Sequence, residues 1–266
     1  MAVAAVAVLI VIGAALVALV PRAFEAGPGA ANPTTVDGLT ELNVRAWAGE
    51  TELLSEVYAP EGVHTATFYD RTNEYVGPEE IDRVAGSGAI EPIGPRIDIP
   101  ADEGEWRWAS FGSLGGGMAC LFHAVDGQIT RHDCVLPERS YEARAPVGLA
   151  DAEASAAIDD VVERLNGSWG RGTTVERLAE AYAPDAVHTA RYLNRTRTYT
   201  GLEEILGVAG SGSGAVTRIG ERVDFEAPEG ELAWADVVGV GGGSVCLYRA
   251  VDGMITRHDC VLPIRG

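Results

Sequence analysis

The chain contains no lysine: all 20 of its basic residues are arginine, against 39 aspartates and glutamates, which gives a formal net charge of −19. Nucleic-acid-binding proteins displace phosphate counterions with stripes of basic side chains, and the sequence shows no such stripe. The same shortage of positive charge disfavours adsorption to anionic membranes. Polyanionic partners are therefore not expected. The hydrophobic fraction of 47% is typical of a folded globular protein.

Two further kinds of motif are missing. The four cysteines show no Cys-x-x-Cys spacing, so a structural zinc site is not expected. The glycine runs at 115–117 and 241–243 lie between predicted strands and not before a helix, so they do not form a phosphate-binding loop. Neither a metal nor another cofactor is expected.

The sequence does contain an internal repeat. Residues 125–137 read VDGQITRHDCVLP and residues 251–263 read VDGMITRHDCVLP, while YAPEGVHTA at 58–66 returns as YAPDAVHTA at 182–190. Repetition over this length indicates one module written twice. We therefore expect two domains, 36–139 and 150–266, each large enough to enclose its own hydrophobic core.

The N-terminus is apolar. Residues 1–20 contain no charged side chain and are followed by Pro21-Arg22. This length just spans a bilayer core, so residues 1–21 are predicted to be a transmembrane anchor or a signal peptide, although the basic leading region of a signal peptide is absent. A buried core helix is the third alternative. Residues 22–35 are rich in Gly, Pro and Ala and are expected to be a linker. The protein would then be extracytoplasmic, either anchored or secreted.

The cysteines agree with export, because disulfides persist in oxidising compartments. Cys120 and Cys134, like Cys246 and Cys260, flank an Asp-Gly hairpin turn. Opposed residues on paired strands lie within disulfide range, so each pair is predicted to be bridged. A plain two-residue turn would place Cys120 opposite Asp133, so a bridge requires a β-bulge or a longer loop. The alternative is four buried thiols.

Each copy follows the order helix, helix, strand, strand, helix and then four strands. This order, together with AWAGETELLSEVYAPEGVHTA, YVGPEEI and VDGQIT in the first copy, resembles the SnoaL-like branch of the nuclear transport factor 2-like superfamily. The resemblance implies an α+β fold: two tandem cone-shaped domains, each a curved antiparallel sheet wrapped around about three helices and leaving a pocket. It also implies that the two copies pair through their sheets as an intramolecular pseudo-dimer.

The resemblance does not imply an activity, because this superfamily contains isomerases, cyclases, dehydratases and non-catalytic binders. In its polyketide-cyclase members an acid–base Asp lies on the penultimate strand, about seven residues before the turn glycine. Cys120 and Cys246 occupy that place here. If both are in disulfides, the cyclase chemistry cannot be transferred to this chain.

Two histidine pairs are repeated: His64 with His188, and His132 with His258. His123 becomes Arg249 and is expected at the surface. Strand alternation places His64, Ala66 and Phe68 on one face, which is expected to face the pocket, and the other face gains Arg191 in place of Thr67, which suits solvent. His64 and His188 are therefore candidate general bases, with Asp98 or Asp224 nearby. The alternative is a hydrogen-bonded structural role.

Other candidates have structural interpretations. In Arg131-His132-Asp133, neighbouring side chains point to opposite faces, so a His–Asp dyad requires a bulge and a structural role is favoured. Trp47 and Trp169 lie at the break between the first two helices, where they could close the narrow end of the pocket or pack in the core. Phe122 of the first copy is replaced by Tyr248 in the second copy, and changes of this kind predict that the pocket of the second copy is more polar than that of the first.

The leading functional hypothesis is a non-catalytic module that binds a small apolar or amphipathic ligand, or another exported protein. The alternative is an isomerase- or cyclase-type enzyme that uses the pocket histidines as bases. The candidate ligand-binding residues are Trp47, His64, Phe68, Phe122, His132, Trp169, His188, Tyr192, Tyr248 and His258.

Overall fold

The computed structural model describes residues 34–68, 71–85, 91–114, 117–136, 147–192, 195–211, 217–239 and 242–263. The hydrophobic segment at 1–21 and nearly all of the linker at 22–35 lie outside these ranges, so both remain predictions. Within the described ranges, no helix is long and apolar enough to cross a membrane.

Both copies contain the predicted elements in the predicted order. The first copy has helices α1 (Val36–Trp47), α2 (Leu54–Val57) and α3 (Pro78–Ala85), with strands β1 (Tyr58–Thr67), β2 (Thr72–Val76), β3 (Ile97–Ile99), β4 (Glu105–Gly112), β5 (Met118–Val125) and β6 (Gln128–Val135). The second copy has helices α4 (Ala152–Ser168), α5 (Val175–Leu178) and α6 (Leu202–Ala209), with strands β7 (Tyr182–Tyr192), β8 (Arg195–Thr200), β9 (Arg218–Phe225), β10 (Glu231–Val238), β11 (Ser244–Val251) and β12 (Met254–Val261).

Each copy folds into one six-stranded sheet, in the order β2-β1-β6-β5-β4-β3 and β8-β7-β12-β11-β10-β9. The sheets are mixed and not antiparallel throughout, since β1 runs parallel to β6 and β7 runs parallel to β12. In each copy the last strand lies beside the first strand in the sheet and runs parallel to it, although the other strands come between them in the chain. This parallel pair places His64 level with His132, and His188 level with His258.

The β5–β6 hairpin shows how Cys120 and Cys134 come to lie opposite each other. Its Asp126-Gly127 turn has positive φ at both residues, as a tight hairpin turn requires. The register then shifts between His123 and Ala124, where a bulge brings Cys120 opposite Cys134. The predicted disulfides are confirmed: Cys120–Cys134 and its counterpart in the second copy each have a Cα–Cα distance of 4.1 Å.

Each sheet has two buried faces. One face packs against the helices of its own copy: in the first copy Leu39 and Trp47 of α1 meet Trp108 and Phe122 of the sheet, and the second copy has a corresponding core. The opposite faces of the two sheets share a third core, which contains Ile97, Ile99, Phe111, Leu121, Val223, Phe225, Val237 and Leu247.

Glycines permit the close approach of the two copies. A Cβ added at Gly117 would lie 2.5 Å from the ring of Phe225, and one added at Gly243 would lie 2.5 Å from Ile99. Gly117 and Gly243 are equivalent residues of the two copies. Each copy therefore places one glycine against an apolar side chain of the other copy. Both also have positive φ, which disfavours any other residue.

The face of β7 that was expected to suit solvent is covered instead. Arg191 is only 7% exposed, and its Nη2 lies 3.5 Å from Glu74 of the first copy. The expectation of a solvated arginine was wrong, because the face of each sheet away from its own helices packs against the other copy.

Candidate functional site

The repeated histidines lie on the helix-side face of each sheet, beneath the end of the first helix. In the first copy, His132 is held at both ring nitrogens. Its Nδ1 lies 2.7 Å from the Tyr58 hydroxyl, and its Nε2 lies 3.0 Å from Cys134 Sγ. The Trp47 indole N–H donates to the same hydroxyl over 2.9 Å. The Tyr58 hydroxyl also lies 3.2 Å from Asn43 Oδ1.

The second copy keeps this network. Trp169 Nε1 donates to the Tyr182 hydroxyl over 2.8 Å, that hydroxyl lies 2.8 Å from His258 Nδ1, and His258 Nε2 lies 3.0 Å from Cys260 Sγ. Leu165 stands where the first copy has Asn43. With no amide oxygen from that position, the Tyr182 hydroxyl can donate its proton to His258 Nδ1, which leaves the His258 proton on Nε2, facing the sulfur.

His64 and His188 lie beside this network and bond to the backbone. His64 Nδ1 is 3.0 Å from the carbonyl oxygen of His132, and His188 Nδ1 is 2.8 Å from that of His258. A carbonyl oxygen only accepts, so Nδ1 carries the proton in both rings. His64 is fully buried, His188 is 3% exposed, and each ring stacks on a tyrosine of the adjacent edge strand.

Burial keeps all four histidines neutral. Desolvation lowers the pKa of His64 and of His188 to about 4, although the bond to the backbone carbonyl acts in the opposite direction. Desolvation also lowers the pKa of His132 and of His258 well below the ordinary value, with the neighbouring histidine as a second cause. A neutral imidazole can act as a base, but only where a substrate can reach it.

The same side chains resemble a metal-binding set. Ligand atoms of His64, His132 and Cys134 lie within 4.8 Å of one another, and the equivalent trio exists in the second copy. Zinc and copper bind cysteine as the thiolate. Since Cys134 and Cys260 are both in disulfides, neither sulfur is a thiolate, and these trios do not fit a resident metal in the oxidised protein.

A cavity of about 100 Å³ lies between α1 and the sheet of the first copy. It is small beside the roughly 300–1,000 Å³ of most ligand pockets. Its lining is largely apolar, with a few polar atoms; it includes Thr40, Asn43, Trp47, Trp108, Ser110, Met118, Phe122 and His132. The structure therefore brings three candidates, Trp47, Phe122 and His132, to one cavity, whereas His64 and Phe68 are not part of its wall.

The remaining candidates have other surroundings. Phe68 is buried below the Arg71 guanidinium, which lies 5.2 Å from its ring centroid. The half-buried Tyr192 ring lies 5.8 Å from the guanidinium of Arg195. Tyr248 packs in the second core, where its ring stacks on His258.

The acidic residues expected near the histidines lie elsewhere. Asp98 forms an exposed ion pair with Arg96, 2.7 Å away. Arg131 and Asp133 pair at 2.7 Å on the sheet face away from His132, and Thr65 donates to the same carboxylate. These contacts match the structural interpretation of the Arg-His-Asp run.

Sequence reasoning missed one residue of the second copy. Asp236 on β10 is 4% exposed and faces the helix-side core, directly opposite Cys246. Burial raises its pKa to about 6, although Arg218, 3.6 Å away, acts in the opposite direction. A comparison of the two copies could have identified Asp236, because the equivalent residue of the first copy is Ser110.

No protein-family model and no curated protein matches the chain. A solved NTF2-like protein of unknown function from Silicibacter pomeroyi matches with 10% identity and a TM-score of 0.32, over 36% of this chain and 87% of its own. A protein with a ketosteroid isomerase-like fold from Catenulispora acidiphila, solved with trimethylamine, matches with 16% identity and a TM-score of 0.28, over 39% of this chain and 88% of its own. A SnoaL-like family protein from Agrobacterium tumefaciens matches with 12% identity and a TM-score of 0.28, over 37% of this chain and 93% of its own.

In fold, this chain is similar to NTF2-like and SnoaL-like proteins. Each match covers a share of this chain equal to about one copy. The likeness concerns the fold alone, so the function has to be argued from the side chains.

Proposed function

We propose that the protein is an exported, non-catalytic binding protein whose interior takes up a small, mostly apolar ligand. The observation that carries the proposal is the closed histidine network beside a cavity. The Tyr58 hydroxyl bonds Nδ1 of His132, and Sγ of Cys134, which is in a disulfide and has no hydrogen to donate, packs against Nε2 at 3.0 Å. What the cavity offers a ligand is therefore chiefly its aromatic and aliphatic wall.

The geometry disfavours the enzyme alternative. A general base must come within hydrogen-bond distance of the proton that it removes. His64 is fully buried, holds the backbone through Nδ1 and is not part of the cavity wall. The position that would hold an acid in a cyclase is instead one half of a disulfide in each copy.

Export is supported by the disulfides and by the composition of the N-terminus. Two bridges in one chain favour an oxidising, extracytoplasmic compartment. The uncharged residues 1–20 supply the segment that export would use. We further infer that the two copies act as an intramolecular pair, since their sheets share one buried core.

Native mass spectrometry of the protein purified from its own host tests this proposal. We expect a non-covalent adduct of a small organic molecule that is released on denaturation. Binding of benzene to the first cavity, followed by NMR, gives a second readout. Ser110→Leu should fill the cavity and abolish this binding, whereas the same substitution at the exposed Ser55 should leave it intact.

Two results would contradict the proposal. One is a protein that carries no adduct and shows no saturable benzene binding. The other is conversion of the copurified compound into a product when it is incubated with the protein, which would contradict the absence of catalysis.

A further inference from the structure

The helix-side face of β9, β10 and β11 differs in chemistry from its counterpart in the first copy. Four positions that are apolar or uncharged in the first copy, Pro92, Ser110, Met118 and Phe122, are occupied in the second copy by Arg218, Asp236, Ser244 and Tyr248. All four changes add polar atoms or charge. They coincide on neighbouring strands, which random drift over the surface does not explain.

Asp236 lies at the centre of this face. Its neighbours on the same face of β10 are Trp234 and Val238, both of which pack in the second core. Arg218 Nε lies 3.6 Å from Oδ2 of the carboxylate. Oδ1 is buried and has no hydrogen-bond partner within the described part of the chain.

A second polar atom in the same core is also unpartnered. Trp234 is fully buried, its ring stacks on Tyr248 with centroids 4.9 Å apart, and its indole N–H has no acceptor among the described residues. Buried polar groups in native proteins are nearly always hydrogen-bonded, because leaving one unpaired destabilises the folded state. One free acceptor and one free donor, two residues apart on one strand face, therefore indicate a missing partner.

A hydroxyl group matches this pair. Its O–H can donate to Asp236 Oδ1 while its oxygen accepts from the Trp234 indole N–H. A protonated amine could donate to the carboxylate but could not accept from the indole. A hydrocarbon would leave both atoms unpaired.

We propose that the second copy binds a small aromatic or aliphatic alcohol through its hydroxyl, held between Asp236 and Trp234, whereas the first copy takes a ligand without that group. This specificity rests on the proposed binding function and names the ligand class of the second copy. The two copies then differ in what they select, and the selecting element is a single buried carboxylate.

The recognition depends on the ionisation of Asp236. An ionised carboxylate accepts a stronger, charge-assisted hydrogen bond than a protonated one. The groups around it are Arg218 and Arg222 of β9, Tyr248 of β11 and Tyr182 of β7. Since its pKa lies at about 6, the preference for a hydroxyl should be full at pH 8 and weaker at pH 6, where half of the carboxylate is protonated.

Phenol and benzene form the matched pair of probes, because they differ only in the hydroxyl. At pH 8 we expect the second copy to prefer phenol by roughly tenfold or more, the free energy of one hydrogen bond to a charged group. Binding should move the indole N–H resonance of Trp234 in NMR spectra of the full chain, assigned by its loss in Trp234→Phe.

Two variants isolate the groups. Asp236→Asn keeps the shape of the side chain, and we expect a preference of only a few-fold that no longer changes between pH 8 and pH 6. Trp234→Phe should lower the preference while benzene binding persists. Ser110→Asp in the first copy serves as the reciprocal control and should not weaken phenol binding at Trp234.

Several results would overturn the proposal. They are an equal affinity of the second copy for phenol and benzene, an Asp236→Asn variant with unchanged preference and pH profile, or a crystal structure in which a water bridges the two atoms and phenol does not displace it. If benzene still binds the first cavity in these cases, the proposed function stands and only the specificity of the second copy fails. If neither probe binds either copy, the proposed function itself fails.

Discussion

Mild acid should destabilise this protein severely, because its four interior histidines are buried without charge. A group whose pKa is lower in the folded than in the unfolded state takes up a proton on unfolding, so stability is full above the unfolded pKa and is lost as the pH falls towards the folded value. For His64 and His188 the pKa is 6.5 in the unfolded state and about 4 in the folded state.

The magnitude follows from the linkage relation. Between pH 7 and pH 5, each of these two histidines should lower the free energy of unfolding by roughly 2 kcal/mol. His132 and His258, whose pKa values burial also lowers, act in the same direction. Asp236 acts with the opposite sign, since its raised pKa stabilises the folded state as the pH falls from about 6 towards 4, by roughly 1 kcal/mol.

The expected net loss is therefore at least roughly 3 kcal/mol, a large part of the stability of a typical domain. Urea unfolding, followed by tryptophan fluorescence in half-unit steps from pH 7 to pH 5, measures it. His188→Gln should reduce the loss between pH 7 and pH 5 by roughly 2 kcal/mol, and this difference is the readout even if the variant is less stable overall. A loss below about 2 kcal/mol would refute the reasoning.

Three other predictions concern the framework. Replacing either disulfide by two serines should cost on the order of 3 kcal/mol of unfolding free energy, measured by urea denaturation; equal stability of the variants would contradict this. Gly117→Ala should lower the melting temperature far more than Gly104→Ala, because both have positive φ but only the first meets Phe225; similar shifts would exclude a tight inter-copy contact. His64→Ala and His188→Ala should change ligand binding unequally in a calorimetric titration, and identical losses would mean equivalent sites.

Much of the fold could be predicted because the sequence is written twice. The repeat and the order of the elements predicted two tandem α+β domains, and the two six-stranded sheets with their helices confirm this fold class. The disulfides were predictable because an Asp-Gly turn limits the possible registers to a few, and one bulged residue selects among them.

The parallel pairing of β1 with β6 could not be predicted in the same way. Alternating burial identifies a strand and its inward face, but it says nothing about which strand lies beside it. Arg191 shows the same limit. A charged residue on an alternate face suggests solvent, and only the packing of the second sheet reveals that this face is covered.

The site was predicted in part for a related reason. The histidines stood out because they recur in both copies, and repetition selects the residues of a shared framework. The structure places His132 and His258 against Tyr58, Tyr182 and the disulfides, and it bonds His64 and His188 to the backbone beside them. Asp236 was missed because it does not recur. In a duplicated chain, positions that are identical in both copies identify what both copies need in order to fold. The residues that recognise a specific ligand are better sought where the two copies differ and one of them has a buried polar group.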